Sequence, residues 1–219
     1  MRKIFLLSFD DGTIYDSQFV ALLNRHNIPC TFHLNSGLEG FVWEFQGRPV
    51  CRQRLYDTVE QYRGHEIASH SLHHHLLTSL DDDTLRREVA EDCENLRRIF
   101  GDRPLGFGVP FTACGQREID VIAPYVRYIR LSEFREDFAL PEDPYHIPIH
   151  GLYNQPDIYN RIYDFSKCDL PVSLFVMAGH SYEMELLDQW DYMDKLLGYI
   201  RSFDFEIMTT MGFVEEFYP

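Results

Sequence analysis

Two carboxylates near the N-terminus and two histidines further along the chain have the types and spacing of a metal site. Asp10 and Asp11 follow the apolar run 4–9, which indicates a buried strand. His70 and His74 are four residues apart, a spacing that places two imidazoles on one face of a helical turn. One aspartate and two histidines leave open positions on a divalent cation, and a second aspartate can accept a proton from water. The pattern therefore predicts a hydrolytic metal centre.

The histidine run 73–75 makes one of these ligands ambiguous. His70 is followed by a histidine at both the third and the fourth position, and both spacings fall on one face of a helix. Spacing alone therefore allows His70 to pair with His73 or with His74.

The elements that would position these residues alternate along the chain. Apolar runs predict strands, and amphipathic periodicity predicts helices. The strands are expected at 4–9, 30–35, 65–69, 105–109, 126–129, 172–177 and 205–209, and the helices at 16–26, 55–62, 81–100 and 182–203. Such alternation predicts a single α/β domain over residues 1–219, with a parallel sheet and helices outside it. Segments 37–50 and 131–170 are expected to be long loops.

The order of the motifs resembles that of the polysaccharide deacetylase family, also called NodB-like or carbohydrate esterase family 4. The family's strand ending in Thr-Phe-Asp-Asp corresponds to 8–11, and its His-(Ser/Thr)-x-x-His phrase to 70–74. Its late Gly-His-Ser-Tyr-Glu corresponds to 179–183. The likeness covers about residues 4–212, with 131–170 poorly matched. It implies a distorted (β/α) barrel, the NodB-like glycoside hydrolase/deacetylase fold, with fewer than eight regular repeats.

The resemblance also implies a role for each residue of the candidate site. Asp11, His70 and His74 would hold a divalent metal, zinc in the first place, with cobalt, nickel or manganese as alternatives. Asp10 would act as the base, and His180 as the acid that protonates the leaving nitrogen. The implied activity is a metal-dependent removal of an N-acyl group, typically acetyl, from an amino sugar or a related amide. The family pattern also selects His74 as the partner of His70, which leaves His73 and His75 as exposed or hydrogen-bonded bystanders.

One family motif is altered in this chain. The usual Arg-x-Pro-Tyr phrase is Gly-Val-Pro-Phe at 108–111, so the arginine that pairs with the catalytic aspartate is missing. Arg127 or Arg130, near the end of a predicted strand, is expected to supply a substitute charge or to contact the substrate. Trp43, in the predicted loop 37–50, is a further candidate for substrate contact, because aromatic faces stack on sugars.

The altered motif leaves alternatives to a sugar deacetylase. One is a carbohydrate-binding or metal-binding member of the family that has lost catalysis. Another is a hydrolase of a small amide that is not a sugar. A second resemblance, of Asp11-Gly12-Thr13 to the haloacid dehalogenase phosphatases, is disfavoured because Phe9 stands at the position of the nucleophile.

Composition disfavours several classes of function. The 219 residues carry 35 acidic and 20 basic side chains, a net charge of −15 that disfavours binding to nucleic acid and to anionic membranes. No apolar run approaches the roughly 18 residues of a membrane span. The five cysteines form no Cys-x-x-Cys motif, which is typical of isolated thiols in a reducing compartment. The N-terminal strand is not a signal peptide, so we expect a cytoplasmic location unless a leader has been removed. Oligomeric state stays open.

Overall fold

Alternating strands and helices build the molecule, and a computed structural model describes all of residues 1–219. The strands are β1 (Arg2–Asp10), β2 (Thr31–Leu34), β3 (Val42–Phe45), β4 (Arg48–Cys51), β5 (Glu66–Ser69), β6 (Phe107–Gly108), β7 (Ile129–Phe134), β8 (Ile147–Ile149), β9 (Gly151–Leu152), β10 (Val172–His180) and β11 (Glu206–Met208). The helices are α1 (Asp16–His26), α2 (Asp82–Phe100), α3 (Gln116–Ile122), α4 (Ile158–Lys167), α5 (Ser181–Leu186), α6 (Trp190–Arg201) and α7 (Thr210–Phe217).

Nine of the strands form one parallel sheet that curls into a distorted barrel. Its order is β8-β7-β6-β5-β2-β1-β10-β9, and β11 pairs with β1. The two ends of this path, β8 and β9, are separated in the chain by His150 alone. The backbone N–H of His150 donates to the Val176 carbonyl of β10 at 2.8 Å, which holds this junction against the centre of the sheet. The predicted parallel sheet and distorted barrel are therefore confirmed.

The alternation of side chains along β1 divides the hydrophobic core in two. Phe5 and Phe9 pack in the outer core with the surrounding helices, whereas Ile4 and Leu6 belong to a separate cluster on the opposite face of the sheet. Because successive side chains of a strand point to opposite faces, Asp10 falls on the side of Ile4 and Leu6. The last residue of β1 is thus delivered to the carboxyl-end mouth of the barrel.

Helix α2 is the longest helix and lies beside β5. The Asp81 side chain caps it by accepting the Thr84 N–H at 2.7 Å, and Leu85, Val89 and Leu96 are fully buried along one face. This agrees with the amphipathic pattern predicted for 81–100. No helix of the structure combines the length and the apolar character needed to cross a bilayer.

Several sequence-based boundaries are wrong. Segment 55–62 forms two 3-10 turns rather than an α-helix. The predicted loop 37–50 contains the antiparallel hairpin β3–β4, and the predicted loop 131–170 contains β8, β9 and α4. The strand expected at 126–129 is observed at Ile129–Phe134. Strands of two or three residues are too short to carry a periodic pattern, so only pairing in the folded sheet defines them.

Candidate active site

The two aspartates at the end of β1 differ in backbone conformation. Asp10 is still part of the strand, where its register partners are His33 on β2 and His180 on β10. Asp11 has a φ of +87°, in the left-handed region that side chains rarely adopt. The chain turns sharply there, so that both carboxylates face the mouth of the barrel.

Asp11, His70 and His74 form a compact cluster of potential metal ligands. One ligating atom from each lies within 4.8 Å of the others. The Nε2 atom of His74 is 3.4 Å and that of His70 is 3.9 Å from Asp11 Oδ1. The predicted ligand set is thus brought together.

The protonation states and hydrogen bonds of this cluster fit a divalent cation. The Nδ1–H of His70 donates to the Gly108 carbonyl at 2.7 Å, which leaves Nε2 free to bind a metal. Burial lowers the pKa of both His70 and His74, so both imidazoles are neutral, as metal ligands must be. Burial alone would raise the pKa of Asp11, but Arg52, the largest of several opposing charges, helps to lower this pKa below its ordinary value, so the carboxylate is ionised.

The predicted helical turn between His70 and His74 is wrong. The segment is a loop in which Ser71 and His74 have φ values of +63° and +54°. The Ser71 hydroxyl accepts the His74 backbone N–H at 3.1 Å, which stabilises this reversal. The two rings converge to a centroid distance of 4.9 Å because the loop folds back. His73 points instead to Glu88, so His74 is the partner of His70.

Arg130 supplies the positive charge beside Asp10 that the altered motif lacks. Its Nη2 lies 2.5 Å from Asp10 Oδ1, and its side chain is only 1% exposed. Arg130 on β7 is the direct register partner of Gly108 on β6. The other candidate, Arg127, is exposed, forms no ion pair and does not line the cavity, so it does not supply the charge beside Asp10.

His33 is a second group that holds Asp10. Its Nδ1 lies 3.0 Å from the Oδ1 atom of Asp10, and its ring is fully buried. Burial alone would raise the pKa of Asp10, but the charge of Arg130, then His70, and the hydrogen bond from His33 lower that pKa well below its ordinary value. Asp10 is therefore ionised over the whole physiological pH range. His33 follows Thr31-Phe32 and belongs to no motif, so only the folded structure places it beside Asp10.

His180 ends β10 on the other side of Asp11. Its Nε2 is 3.9 Å from Asp11 Oδ2, and its Nδ1 is 3.5 Å from Glu183 Oε2. Burial lowers the pKa of His180, but Glu183 and then Asp11 outweigh it and raise the pKa to about 9. Glu183 was missed as a partner, although it belongs to the quoted 179–183 motif and lies three residues after His180, in the first turn of α5.

Arg52 is a buried residue of the site that no sequence signal indicated. Its Nη2 donates to Asp11 Oδ1 at 2.9 Å, and its Nη1 donates to the Asp11 carbonyl and to Asn35 Oδ1. The guanidinium also lies 5.0 Å from the centre of the Trp43 ring. Trp43 packs edge-on against Tyr182 and is not part of the cavity wall, so the structure does not support its predicted substrate contact.

A cavity of about 520 Å³ opens above these groups. Its floor contains Asp10, Asp11, His70, His74 and His180. Its walls combine polar and apolar side chains, namely Thr112, Arg130, Ser132, Gln155, Val109, Phe111, Phe134, Ile149, Leu152 and Tyr182. The predicted site residues, apart from Arg127 and Trp43, therefore line one cavity.

Comparison with known families identifies the chain. A family model described as polysaccharide deacetylase matches residues 1–123, more than half of the sequence. The chain belongs to the polysaccharide deacetylase family. This membership confirms the predicted family and the predicted enzyme class, a deacetylase from a family that depends on a divalent metal. A comparison with curated protein sequences finds no match.

Solved structures share the fold at low sequence identity. The Xyl-CE4 domain of a multidomain xylanase from the hindgut metagenome of Trinervitermes trinervoides superposes with a TM-score of 0.64 at 16% identity, over 99% of this chain and 91% of that one. A family 4 acetyl xylan esterase from Clostridium thermocellum, in complex with cobalt, superposes with a TM-score of 0.65 at 15% sequence identity, over 98% of this chain and 91% of that one. The chitin deacetylase of Colletotrichum lindemuthianum superposes with a TM-score of 0.64 at 18% sequence identity, over 97% of this chain and 87% of that one.

Proposed function

We propose that this deacetylase uses a divalent metal, zinc in the first place, to remove the N-acetyl group of an amino sugar. The observation that carries the proposal is the arrangement around Asp11. The Asp11, His70 and His74 cluster is flanked by Asp10, the last residue of β1, and by His180, the last residue of the adjacent β10. A ligand cluster between one carboxylate and one histidine is what hydrolysis of an amide requires.

Asp11, His70 and His74 would hold the metal, which when bound polarises an amide carbonyl and lowers the pKa of water. Asp10 takes a proton from the attacking water, and Arg130 and His33 keep its carboxylate ionised and oriented. His180 then donates a proton to the nitrogen of the departing amine. An amine leaves poorly unless it is protonated, so the reaction needs this acid as well as the base.

The pKa values of Asp10 and His180 suit their proposed roles as base and acid. Asp10 has a low pKa, so it is a weak base, but it is always in the form that accepts a proton. His180 has its pKa raised to about 9, so it is protonated at neutral pH and can donate. Two groups whose pKa values are pushed apart by their surroundings are typical of an acid–base pair.

The choice of an amide over an ester rests on His180. An alcohol leaves more readily than an amine and needs less help from an acid. Among the similar folds, one is a chitin deacetylase and another an acetyl xylan esterase, so the barrel supports both chemistries. A half-buried histidine with an adjacent carboxylate, Glu183, favours the amide.

A second candidate is the hydrolysis of a small acylated amine that is not a sugar. Apolar side chains at the cavity mouth favour it, since Phe111, Phe134 and Leu152 are each more than 40% exposed there. Exposed aromatic rings can stack on the apolar face of a sugar, but they equally suit an apolar substituent.

Acetate release distinguishes the candidates. Wild type and Asp10→Asn are loaded with zinc or with cobalt and incubated with N-acetylglucosamine oligomers, peptidoglycan fragments and small N-acetyl amines. We expect acetate from the wild type with an amino-sugar substrate and at most a small fraction of that amount from Asp10→Asn. Turnover of the small amines alone would favour the second candidate, and no release from any substrate by the loaded wild type would contradict both.

A further inference from the structure

A second group of potential metal ligands lies on the outer side of the histidine loop. His73, His75 and Glu88 each offer one ligating atom, and these atoms lie within 4.8 Å of one another. Glu88 is on α2, whereas the two histidines flank His74 in the loop. We propose that these three residues form an outer zinc site, separate from the Asp11 cluster.

The distances around Glu88 suit a single cation. Glu88 Oε1 is 2.8 Å from His73 Nδ1 and 3.9 Å from His75 Nε2. Two atoms that each bind a tetrahedral zinc at about 2.0–2.1 Å lie about 3.4 Å apart. The two observed distances fall on either side of that value, so small rotations of half-exposed side chains bring all three atoms to one ion.

The second oxygen of Glu88 is fixed by the backbone. Glu88 Oε2 accepts the N–H of His73 at 2.8 Å, and the Glu88 carbonyl accepts the N–H of Leu72 at 3.0 Å. The carboxylate is therefore oriented with Oε1 directed at both imidazoles. Metal-binding carboxylates are characteristically oriented by such additional hydrogen bonds.

Glu88 has no permanent cation beside it. The residue is 6% exposed, and its only ion-pair partners are the two histidines, with no lysine or arginine in reach. A buried carboxylate is stabilised by a positive charge. Two imidazole nitrogens and one carboxylate oxygen are a donor set that zinc accepts, and the half-exposed rings leave positions open to water.

A cation at the outer site would stabilise the loop that carries His74, a proposed ligand of the Asp11 cluster. His74 lies between the two outer histidines and has a left-handed backbone. A cation bound to His73, His75 and Glu88 would attach both neighbours of His74 to α2. The outer zinc is therefore structural, because it holds the loop without touching the cavity.

Zinc stoichiometry tests the proposal independently of catalysis. Chelator-treated full-length protein is dialysed to equilibrium against an excess of zinc, and bound zinc is measured by atomic absorption. We expect about two equivalents for wild type, about one for His75→Ala and for Glu88→Gln, and none for the His74→Ala/His75→Ala double variant. His75 forms no side-chain hydrogen bond, so its replacement should leave folding intact, which circular dichroism can verify.

His146→Ala is the matched control. His146 pairs with Asp143 at 2.8 Å on the surface, but no second histidine joins them, so this variant should keep two equivalents. The proposal is overturned if wild type binds one equivalent that His74→Ala loses, or if His75→Ala binds as much zinc as wild type. Loss of an equivalent in His146→Ala would overturn it too, because surface histidine–carboxylate pairs in general would then bind zinc. The proposed function would survive each of these results, since it depends on the Asp11 cluster.

Discussion

Gly108 and Arg130 face each other on adjacent strands, and the Arg130 guanidinium fills the space that a side chain at position 108 would need. A Cβ atom on Gly108 would lie 2.7 Å from Arg130 Nη2 and 2.6 Å from the His33 ring. An arginine at position 108, as the family motif has it, and Arg130 are therefore alternatives for one place beside Asp10. In this chain the charge comes from the neighbouring strand.

Removing this charge should shift the acid limb of the pH profile. Burial raises the pKa of Asp10, and Arg130 is the largest influence that lowers it. In Arg130→Met the pKa rises, so Asp10 loses its charge at a higher pH and the acid limb of kcat/KM moves to higher pH. Arg130→Lys keeps a positive charge and should shift the limb less. If the folded Met variant retains the wild-type acid limb, Arg130 does not control the base.

Moving the arginine back to the family position should restore part of the lost activity. Gly108→Arg alone should destabilise the fold by about 1–3 kcal/mol, because the new side chain collides with Arg130 and His33. Combined with Arg130→Ala, the collision with the Arg130 guanidinium is removed, and only the close contact of the new Cβ with the His33 ring remains. We expect the double variant to exceed Arg130→Ala in kcat/KM, and urea unfolding to show recovered stability relative to Gly108→Arg. Additive losses would show that the two positions do not share one place.

Replacement of the proposed base should leave the metal content unchanged, whereas replacement of a proposed ligand should lower it. Asp10→Asn is expected to lower kcat about 10²–10⁴-fold and to keep its inner metal, since Asp10 is not a member of the ligand cluster. His74→Ala should lose about one equivalent of metal relative to wild type. Both are measured on the same preparations by atomic absorption and acetate release. Near-wild-type kcat in Asp10→Asn, or equal metal in wild type and His74→Ala, would reject the respective role.

Glu183 should determine the pH at which kcat/KM falls on the alkaline side of the pH profile. Burial lowers the pKa of His180, and Glu183 is the largest influence that raises it to about 9. Glu183→Gln lowers this pKa, so the acid loses its proton earlier and the alkaline limb of kcat/KM moves to lower pH. Glu185→Gln is the control, because Glu185 is on the same helix but bonds Trp190 at 2.8 Å. Equal profiles for the two variants would exclude Glu183 as the partner of His180.

Leaving groups should reveal whether His180 is the acid. His180→Ala is expected to reduce kcat on an N-acetyl substrate by about 10²-fold or more, and on a matched O-acetyl ester by less. The alcohol needs less protonation to leave, so the loss of the acid matters less. Equal losses on the two substrates would argue against this role for His180.

Local patterns in the sequence were sufficient for the framework and for the residues that we propose carry the chemistry. The apolar run of β1 places Asp10 and Asp11 at a strand end, and the pattern of β10 does the same for His180. Each of these features is contained in a few consecutive residues, and hydrophobic alternation acts over that range. The family motifs then identified His70 and His74, although the helical turn expected between them is a loop.

Tertiary structure alone decided which charges surround those residues. Arg130 is 120 positions from Asp10, and Arg52 is 41 positions from Asp11, yet both form buried ion pairs with them. The sequence indicates Arg130 only together with Arg127. Strand register determines which of the two side chains faces inward, and the pairing of the two-residue strand β6 with β7 is not visible in the sequence. The same holds for Glu88, whose position beside His73 and His75 follows from the packing of α2 against the loop. Local periodicity determines the strand ends, whereas electrostatic partners depend on contacts between segments far apart in the chain.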